Sequence, residues 1–454
     1  KITMSKYYEE LYESKERLPV DKVKKINPNY ASYLEIPTLL TLQEAKCKEG
    51  LHNHDELLFI TVHQSFELWF KQVLKELTSI QMIISKSHRP NKEAEVVITE
   101  RLNRAIKVLK IVVPTFDILE TMKPLNFLEF RDYITPASGF QSAQWKELEI
   151  LVGAVSFVSG KYLSVLENVD EKGLAQIKKR LEKKSIRQML YTWMIGFYED
   201  NEDLINEFKK HYMNYREYTT KYIMQVKEDD EEQRQVKIEN EFNGTRRFLD
   251  GIDYDLGKNR FGKPINGMEL EEDSKSIQEM QEDASKRRWA ILFITMNQYV
   301  PKYANVARIL DQMIEFEQNI IIWKTRHARM VERIIGHKVG TGGSSGVDYL
   351  DAAARQRIFH DLWHVRSHLI LPSIMPPLST YKNWNPHDKV EESLDKPQPI
   401  ERNLESLLQR SQSAHRRSVI FRRILPIFKL GALSIVSAGL GIAATYLFQK
   451  MSKK

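Results

Sequence analysis

Apolar side chains recur at intervals of three and four residues along most of the chain, a spacing typical of amphipathic helices. The clearest case is the stretch 309–336, where Trp323, His327, Met330 and Ile334 fall on one face. No stretch alternates between apolar and polar residues as a half-buried strand does, so the predicted fold class is all-α. The same periodicity predicts further helices that begin at His54 and that cover about 92–112, 289–296 and 351–371.

Two histidines lie on apolar faces of these predicted helices. His327 is in the middle of the stripe just described, and His63 shares a face with Phe59, Phe66 and Phe70. Such a histidine is either a core residue satisfied by a hydrogen bond or a ligand to an apolar, metal-bearing group such as haem. Periodicity does not show whether the two residues meet in space, so both interpretations stand at this point.

One arginine lies in an aromatic setting. Arg131 is flanked by Phe127, Phe130 and Tyr133. A guanidinium group in a dry pocket offers a two-pronged donor that fits a carboxylate. The alternative is an ordinary half-buried arginine paired with an aspartate.

A glycine-rich stretch at 340–346 carries almost no side-chain bulk. Such a loop lets the backbone approach a ligand closely. No Gly-Lys-Ser/Thr follows it, so the phosphate-binding loop of nucleotide-binding proteins is excluded.

Three further histidines, His360, His364 and His368, are spaced four residues apart in the last predicted helix. That spacing is compatible with zinc. The preferred interpretation is that they face water, because apolar residues define the opposite side. Those residues are Ile358, Phe359, Leu362, Trp363 and Leu369.

Composition narrows the class of protein. The chain has 454 residues, of which 42% are hydrophobic and 10% aromatic, as in globular proteins. A single cysteine, Cys47, rules out an intramolecular disulfide. The net charge of +7 is concentrated at the C-terminal end, since residues 401–454 hold ten Lys/Arg against two Glu. The body is therefore nearly neutral, which argues against a nucleic-acid-binding protein.

The C-terminal region predicts a membrane span. Residues 430–448 contain no charge and approach the ~20 residues that cross a bilayer, with Arg423 and Lys429 before them and Lys450 after them. Because so few residues follow, we expect insertion after synthesis as a tail anchor, with the body cytosolic and the mitochondrial outer membrane favoured in a eukaryote. The alternative is a long apolar helix that docks on the body or joins subunits.

Taken together, these motifs resemble the tryptophan 2,3-dioxygenase family. The similarity covers about residues 29–378. It is carried by Tyr30 to Leu34, His54 to Gln72, Phe130 to Ser142, Trp323 to His327 and Gly340 to Gly346.

The resemblance implies an all-α homotetramer that binds haem b, active as Fe²⁺, and inserts O₂ across the indole C2–C3 bond of L-tryptophan to give N-formyl-L-kynurenine. It implies that His327 is the proximal iron ligand and that His63 is the distal catalytic residue near the indole nitrogen. It further implies that Arg131 holds the substrate carboxylate and Thr341 the amino-acid end. The other substrate-binding residues implied are Phe59 and Phe127 at the indole, Ser138, and Tyr30 and Tyr33 reaching into a neighbouring subunit.

This interpretation divides the chain into four parts. We expect an N-terminal segment at 1–28, a haem dioxygenase domain at 29–378, a polar linker at 379–423 and a transmembrane anchor at 424–454. Within the domain, the charge-dense stretch 227–288 is expected to be a helical insert or small lid, more solvated than core. Two alternatives remain: a related haem protein that acts on another indole or senses a ligand without turnover, and a membrane-tethered scaffold with an inert fold.

Overall fold

A computed structural model describes residues 29–45, 53–86, 90–154, 170–227, 231–252, 277–342 and 346–382. These residues form helices joined by short connections and contain no β-strand, so the all-α prediction is confirmed for them. The α-helices are α1 Tyr30–Tyr33, α2 Ile36–Leu39, α3 His54–Lys86, α4 Lys92–Val112, α5 Thr115–Leu119, α6 Pro124–Ile134, α7 Ala143–Val152, α8 Glu171–Leu181, α9 Ile186–Asp200, α10 Glu202–Lys227, α11 Glu231–Leu249, α12 Ile277–Met296, α13 Pro301–Ile335, α14 Val347–Arg355 and α15 His360–Val365.

The described residues fall into two compact units. The larger comprises those within 29–209 and 244–369 together with 381 and 382, and it contains every candidate residue of the predicted site. The smaller comprises those within 210–243 and 370–380, where Arg216 and Glu241 form an ion pair of 2.7 Å.

The core of the larger unit is built on three long helices. Helix α4 packs against both α3 and α13. Its N-cap is Asn91, whose side chain accepts a hydrogen bond from the backbone N–H of Ala94 at 2.9 Å. Side chains such as Ile80, Leu102 and Ile309 are completely buried between these helices. Burial of each contributes about 1.5–3 kcal/mol relative to exposure, so this packing fixes the scaffold of the site.

The charge-dense stretch 227–288 is only partly what the sequence predicts. Its described ends are helical, as expected, and most of their side chains are exposed or half-buried, although a few contribute to the core. On α12, Arg287 and Arg288 are 3% and 4% exposed and donate to Asp361 of α15 at 2.6 and 2.9 Å. Arg288 also lies over the ring of Phe248, 4.2 Å from its centroid. Charged residues are thus buried here because they are paired with one another.

The predicted helix 351–371 is interrupted. Helix α14 ends at Arg355 and α15 begins at His360. The buried carboxylate of Glu317 accepts hydrogen bonds from the backbone N–H groups of Ile358 and Phe359 and so caps the start of α15. This cap comes from a distant part of the chain, which explains why local periodicity did not predict the break.

The three histidines of this region do not share one helix. His364 is exposed, whereas His360 and His368 are half-buried, which corrects the prediction that all three face water. His368 stacks on Phe248 at 4.7 Å, and its Nδ1 lies 3.2 Å from the hydroxyl of Thr245. No cluster of His, Cys, Asp or Glu suited to a metal ion occurs among the described residues, so the zinc interpretation receives no support.

Within the part of the chain that the structure describes, no helix is both long and apolar enough to cross a bilayer. The predicted anchor at 424–454 lies outside that part, as do the segment 1–28, Cys47 and all but the first four residues of the linker 379–423.

Candidate active site

A cavity of about 230 Å³ opens within the larger unit, bounded by α3, α6, α7, α13, α14 and the glycine-rich stretch. It brings together seven of the residues predicted for the site. These are Phe59, His63, Phe127, Arg131, Ser138, His327 and Thr341.

His327 presents a neutral imidazole to this cavity. Burial lowers its pKa to about 4, with a smaller effect from His63. Its ring stacks on Phe116, with centroids 5.8 Å apart, and lies 5.3 Å from Trp323. Among the described residues it has no hydrogen-bond partner. A core histidine would be satisfied by such a bond, so the arrangement favours a ligand role.

The tautomer of His63 follows from its one hydrogen bond. Its Nδ1 lies 2.7 Å from the carbonyl oxygen of Phe59, which only accepts, so Nδ1 carries the proton. Burial lowers the pKa of His63, against the opposing effects of that bond and of Glu67. The imidazole is therefore neutral at pH 7, and its Nε2 is a hydrogen-bond acceptor.

Aromatic rings form most of the remaining wall. The ring of Phe59 lies 5.7 Å from Phe127 and 5.6 Å from Phe130. Deeper in the structure, Trp323 packs on Trp145 with centroids 4.2 Å apart. Such a lining excludes water and suits a flat apolar ligand.

Arg131 has no carboxylate partner among the described residues, so the alternative of a simple arginine–aspartate pair is wrong. One of its terminal nitrogens donates to the carbonyl of Val339, and its buried Nε has no partner within the described ranges. The guanidinium group thus retains donors for a ligand.

The glycine-rich stretch is held against the connection between α6 and α7. The Thr341 hydroxyl donates to the carbonyl of Ala137 at 2.7 Å. A Cβ atom at Gly342 would lie 2.7 Å from the Cβ of Ser138, so this approach requires glycine. Thr341 and Ser138 are thereby placed in the same wall.

Tyr30 and Tyr33 do not line this cavity; they are 77% and 74% exposed. Their segment is attached next to the site. Gln43 donates to the side chain of Gln64 at 2.6 Å, and Gln64 donates to the carbonyl of Leu42 at 2.8 Å.

Sequence reasoning missed a buried charge cluster in the cavity wall. The apolar stripe of α13 does not include Lys324, yet this residue is 8% exposed, and its Nζ lies 2.7 Å from Glu149. Lys146 contacts the other oxygen of Glu149 at 2.8 Å. Burial raises the pKa of Glu149, but the charges of Lys324 and Lys146 outweigh it and hold that pKa below its usual value. Lys146 and Glu149 are three residues apart on one helix, a spacing that could have predicted their ion pair. The contact of Lys324 with Glu149 joins distant parts of the chain, so no local sequence pattern indicates it.

The fold and the cavity define an all-α protein with a two-histidine aromatic pocket. A sequence model described as "Tryptophan 2,3-dioxygenase" matches residues 15–369. The "Tryptophan 2,3-dioxygenase 2" of Ralstonia nicotianae is 35% identical over 366 residues, covering 77% of this chain and 95% of the relative. The tryptophan 2,3-dioxygenase of Dictyostelium discoideum is 32% identical, covering 77% of this chain and 85% of the relative. The chain therefore belongs to the tryptophan 2,3-dioxygenase family, and the resemblance seen in its motifs is confirmed.

Proposed function

We propose that this protein is a haem-dependent dioxygenase that converts L-tryptophan to N-formyl-L-kynurenine. In this reaction the C2–C3 bond of the indole breaks and each carbon gains one atom of O₂, so no external reductant is consumed. The observation that carries the proposal is the meeting of two neutral histidines, His63 and His327, with Arg131 and Thr341 in one aromatic cavity. Membership of the family supports it.

The residues present fit haem b. His327 would be the iron ligand, because its imidazole is neutral and has no partner among the described residues. Phe116 stacks on its ring, and Trp323 packs against it at a tilt of 39°. Ferrous haem, when bound, supplies the activation of dioxygen, and the surrounding aromatic rings keep water away.

His63, Phe59 and Phe127 would orient the indole. Nε2 of His63 would accept a hydrogen bond from the indole N–H, since Nδ1 is already committed to the carbonyl of Phe59. The two phenylalanine rings would pack against the indole faces or edges. This holds the C2–C3 bond in one position.

Arg131, Ser138 and Thr341 would bind the amino-acid end of the substrate. The guanidinium group would hold the carboxylate, helped by the low polarity of the neighbouring rings. The Ser138 and Thr341 side chains supply further polar groups in the same wall.

The direct test is turnover. The full-length protein, purified with haem and reduced, is mixed with L-tryptophan in air, and N-formyl-L-kynurenine is measured by absorbance and mass spectrometry. Stoichiometric incorporation of both atoms of ¹⁸O₂ is the expected result. A Soret band without product would favour a sensor or an enzyme for another indole, and absence of haem binding would favour an inert scaffold.

Replacing Arg131 by leucine should weaken tryptophan binding by about 2–5 kcal/mol, the range for losing one partner of a buried charge pair. Tryptamine, which lacks the carboxylate, provides the comparison and should bind the variant and the parent alike. Titration of the haem spectrum with each ligand measures both affinities. Equal losses for the two ligands would mean general damage to the cavity.

We also propose that the protein assembles as a homotetramer in which Tyr30 and Tyr33 contact a neighbouring subunit. Support comes from the exposure of these rings and of Leu40 in a segment that buries none of its own residues. Light scattering should give the mass of four chains, and the variant with both tyrosines changed to alanine should raise KM for tryptophan.

The proposal for localisation rests on the sequence alone. The uncharged stretch 430–448 would span a bilayer, with the catalytic domain on the cytosolic side. Full-length protein should remain in the membrane pellet after carbonate extraction at high pH, whereas a chain ending at Ala414 should be released and still oxidise tryptophan. Release of the full-length chain would contradict the anchor without affecting the haem assignment.

A further inference from the structure

Helix α8 and the residues that follow it present a basic surface on the larger unit. Residues 171–187 contain seven Lys or Arg against two Glu, although the body of the chain is nearly neutral as a whole. The exposed lysines of this stretch are Lys172, Lys178, Lys179, Lys183 and Lys184. Lysines this close together raise the local positive potential, so the surface attracts an anionic partner.

The apolar side of α8 is fixed to the core, which sets the direction of these lysines. Leu174 and Ile177 are buried with Ile150 of α7 in one apolar cluster. Phe140, which lines the cavity, packs against the same cluster. Because the apolar residues face inward, the lysines on the other side of the helix face outward.

Arg180 belongs to the same stretch, but its charge is used internally. Its guanidinium group donates to Glu147 of α7 at 2.5 and 3.1 Å and to the side chain of Gln81 at 2.8 Å. Gln81, on α3, also donates to the backbone carbonyl of Lys184 at 2.7 Å, which fixes the segment after α8. Within the described ranges, no ion pair involves the side chains of Lys172, Lys179, Lys183 or Lys184. Their charges are therefore available to a partner from outside.

An exposed leucine lies next to these lysines. Leu181 is 39% exposed and continues the apolar stripe of Leu174 and Ile177 at the end of α8. Basic residues beside an exposed apolar side chain fit the headgroup region of a bilayer, where both anionic groups and acyl chains are within reach. Residues 171–181 include no aromatic side chain that could stack on a base, which disfavours single-stranded nucleic acid.

We propose that α8 and the lysines after it bind the surface of a membrane that contains anionic lipid. The uncharged stretch 430–448, proposed above as a membrane span, would keep the body close to such a surface. Tethering raises the effective concentration of the lipid headgroups, so a contact that is weak per lysine suffices. The haem-dependent function is not required for this contact, so either proposal can fail without the other.

The test measures how fast each lysine reacts with an amine-acetylating reagent that does not cross membranes. Full-length protein is reconstituted into vesicles of phosphatidylcholine, alone or with about one-third phosphatidylserine, and short labelling is quantified by mass spectrometry. Lys107, which is exposed on α4, is the internal reference. Labelling of Lys179 and Lys184 relative to Lys107 should fall about 5-fold on the anionic vesicles only, the effect of roughly one lysine near such a surface. High salt should restore it.

A charge reversal within the basic surface gives the second measurement. Lys183→Glu should abolish most of the protection of Lys179 and Lys184 on anionic vesicles. Lys123→Glu is the matched control, because Lys123 is also an exposed lysine just outside a helix and the net charge changes equally. This variant should keep the protection seen in the parent, and circular dichroism verifies that both variants are folded.

Equal labelling on the two kinds of vesicle would overturn the lipid-binding surface. Equal loss of protection in Lys123→Glu would also overturn it, because the attraction would then depend on net charge alone. Protection of these lysines without vesicles would show that another copy of the chain covers α8, and protection by single-stranded DNA but not by vesicles would assign the surface to nucleic acid. Labelling does not depend on haem or turnover, so these outcomes leave the proposed function untouched.

Discussion

The variant His327→Ala is expected to lose haem almost completely during purification, and its residual pigment should lack the spectrum of a histidine-ligated iron. The physical reason is that the variant removes the nitrogen of the proposed iron ligand, while the other described histidine of the cavity, His63, is held in place on α3 by its hydrogen bond to the carbonyl of Phe59. Haem content by the pyridine haemochrome assay, together with ferric and ferrous Soret spectra, measures the effect.

The matched control is His63→Ala, which changes the other histidine of the same cavity. It should retain haem and lose only part of the activity, because its proposed role is to orient the indole. Added imidazole should restore the ligated spectrum to His327→Ala. Full haem content with an unchanged Soret band in His327→Ala would refute the assignment of the iron ligand.

The second large effect is expected at Asp361, which does not line the cavity. Asp361→Asn should destabilise the protein by about 3–5 kcal/mol, the range for removing one partner of a buried ion pair. Asp361 is 3% exposed and accepts bonds from both Arg287 and Arg288, so the variant removes a negative charge that two buried guanidinium groups share. Urea denaturation, monitored by circular dichroism on samples of equal haem content, measures the change in the free energy of unfolding.

An exposed pair provides the control. Asp311 pairs with Arg366, and their side chains are 69% and 45% exposed. Asp311→Asn should therefore change stability by less than about 1 kcal/mol. Similar losses of stability in the two variants would show that burial does not determine how much the Asp361 ion pairs contribute to the free energy of unfolding.

The same cluster predicts a pH dependence. Burial raises the pKa of Asp361, but the charges of Arg288 and Arg287 and their hydrogen bonds outweigh it and hold that pKa well below its ordinary value. A carboxyl with a depressed folded-state pKa stabilises the fold above its unfolded pKa of about 3.9 and loses that contribution as the pH falls below it. The parent should therefore lose more stability than Asp361→Asn when acidified below about pH 4.

How far the sequence predicted the structure depended on whether the cause was local. The apolar spacing around His327 correctly predicted a helix and a face that includes Trp323, because helical periodicity is encoded within a few residues. The grouping of His63, Arg131 and Thr341 came from resemblance to a family, since no local pattern states which distant segments meet.

The errors arose where distant residues overrule local pattern. Helical spacing places Lys324 off the apolar stripe of α13, and lysine is mostly exposed in proteins, yet Glu149 on another helix pairs with its charge in the interior. The predicted helix across 351–371 failed for a similar reason, since the carboxylate of Glu317 begins a new helix near Phe359. In both cases a buried carboxylate from elsewhere in the chain decided the outcome.

The attachment of the N-terminal segment bears on how this protein can diversify. Gln64, which holds Gln43 and Leu42, directly follows His63 on α3. A change that tilts this one turn would alter both the docking of the segment and the direction of the imidazole. Selection acting on the proposed subunit assembly would therefore act on the proposed substrate geometry as well, so the two traits are expected to vary together among descendants of this gene.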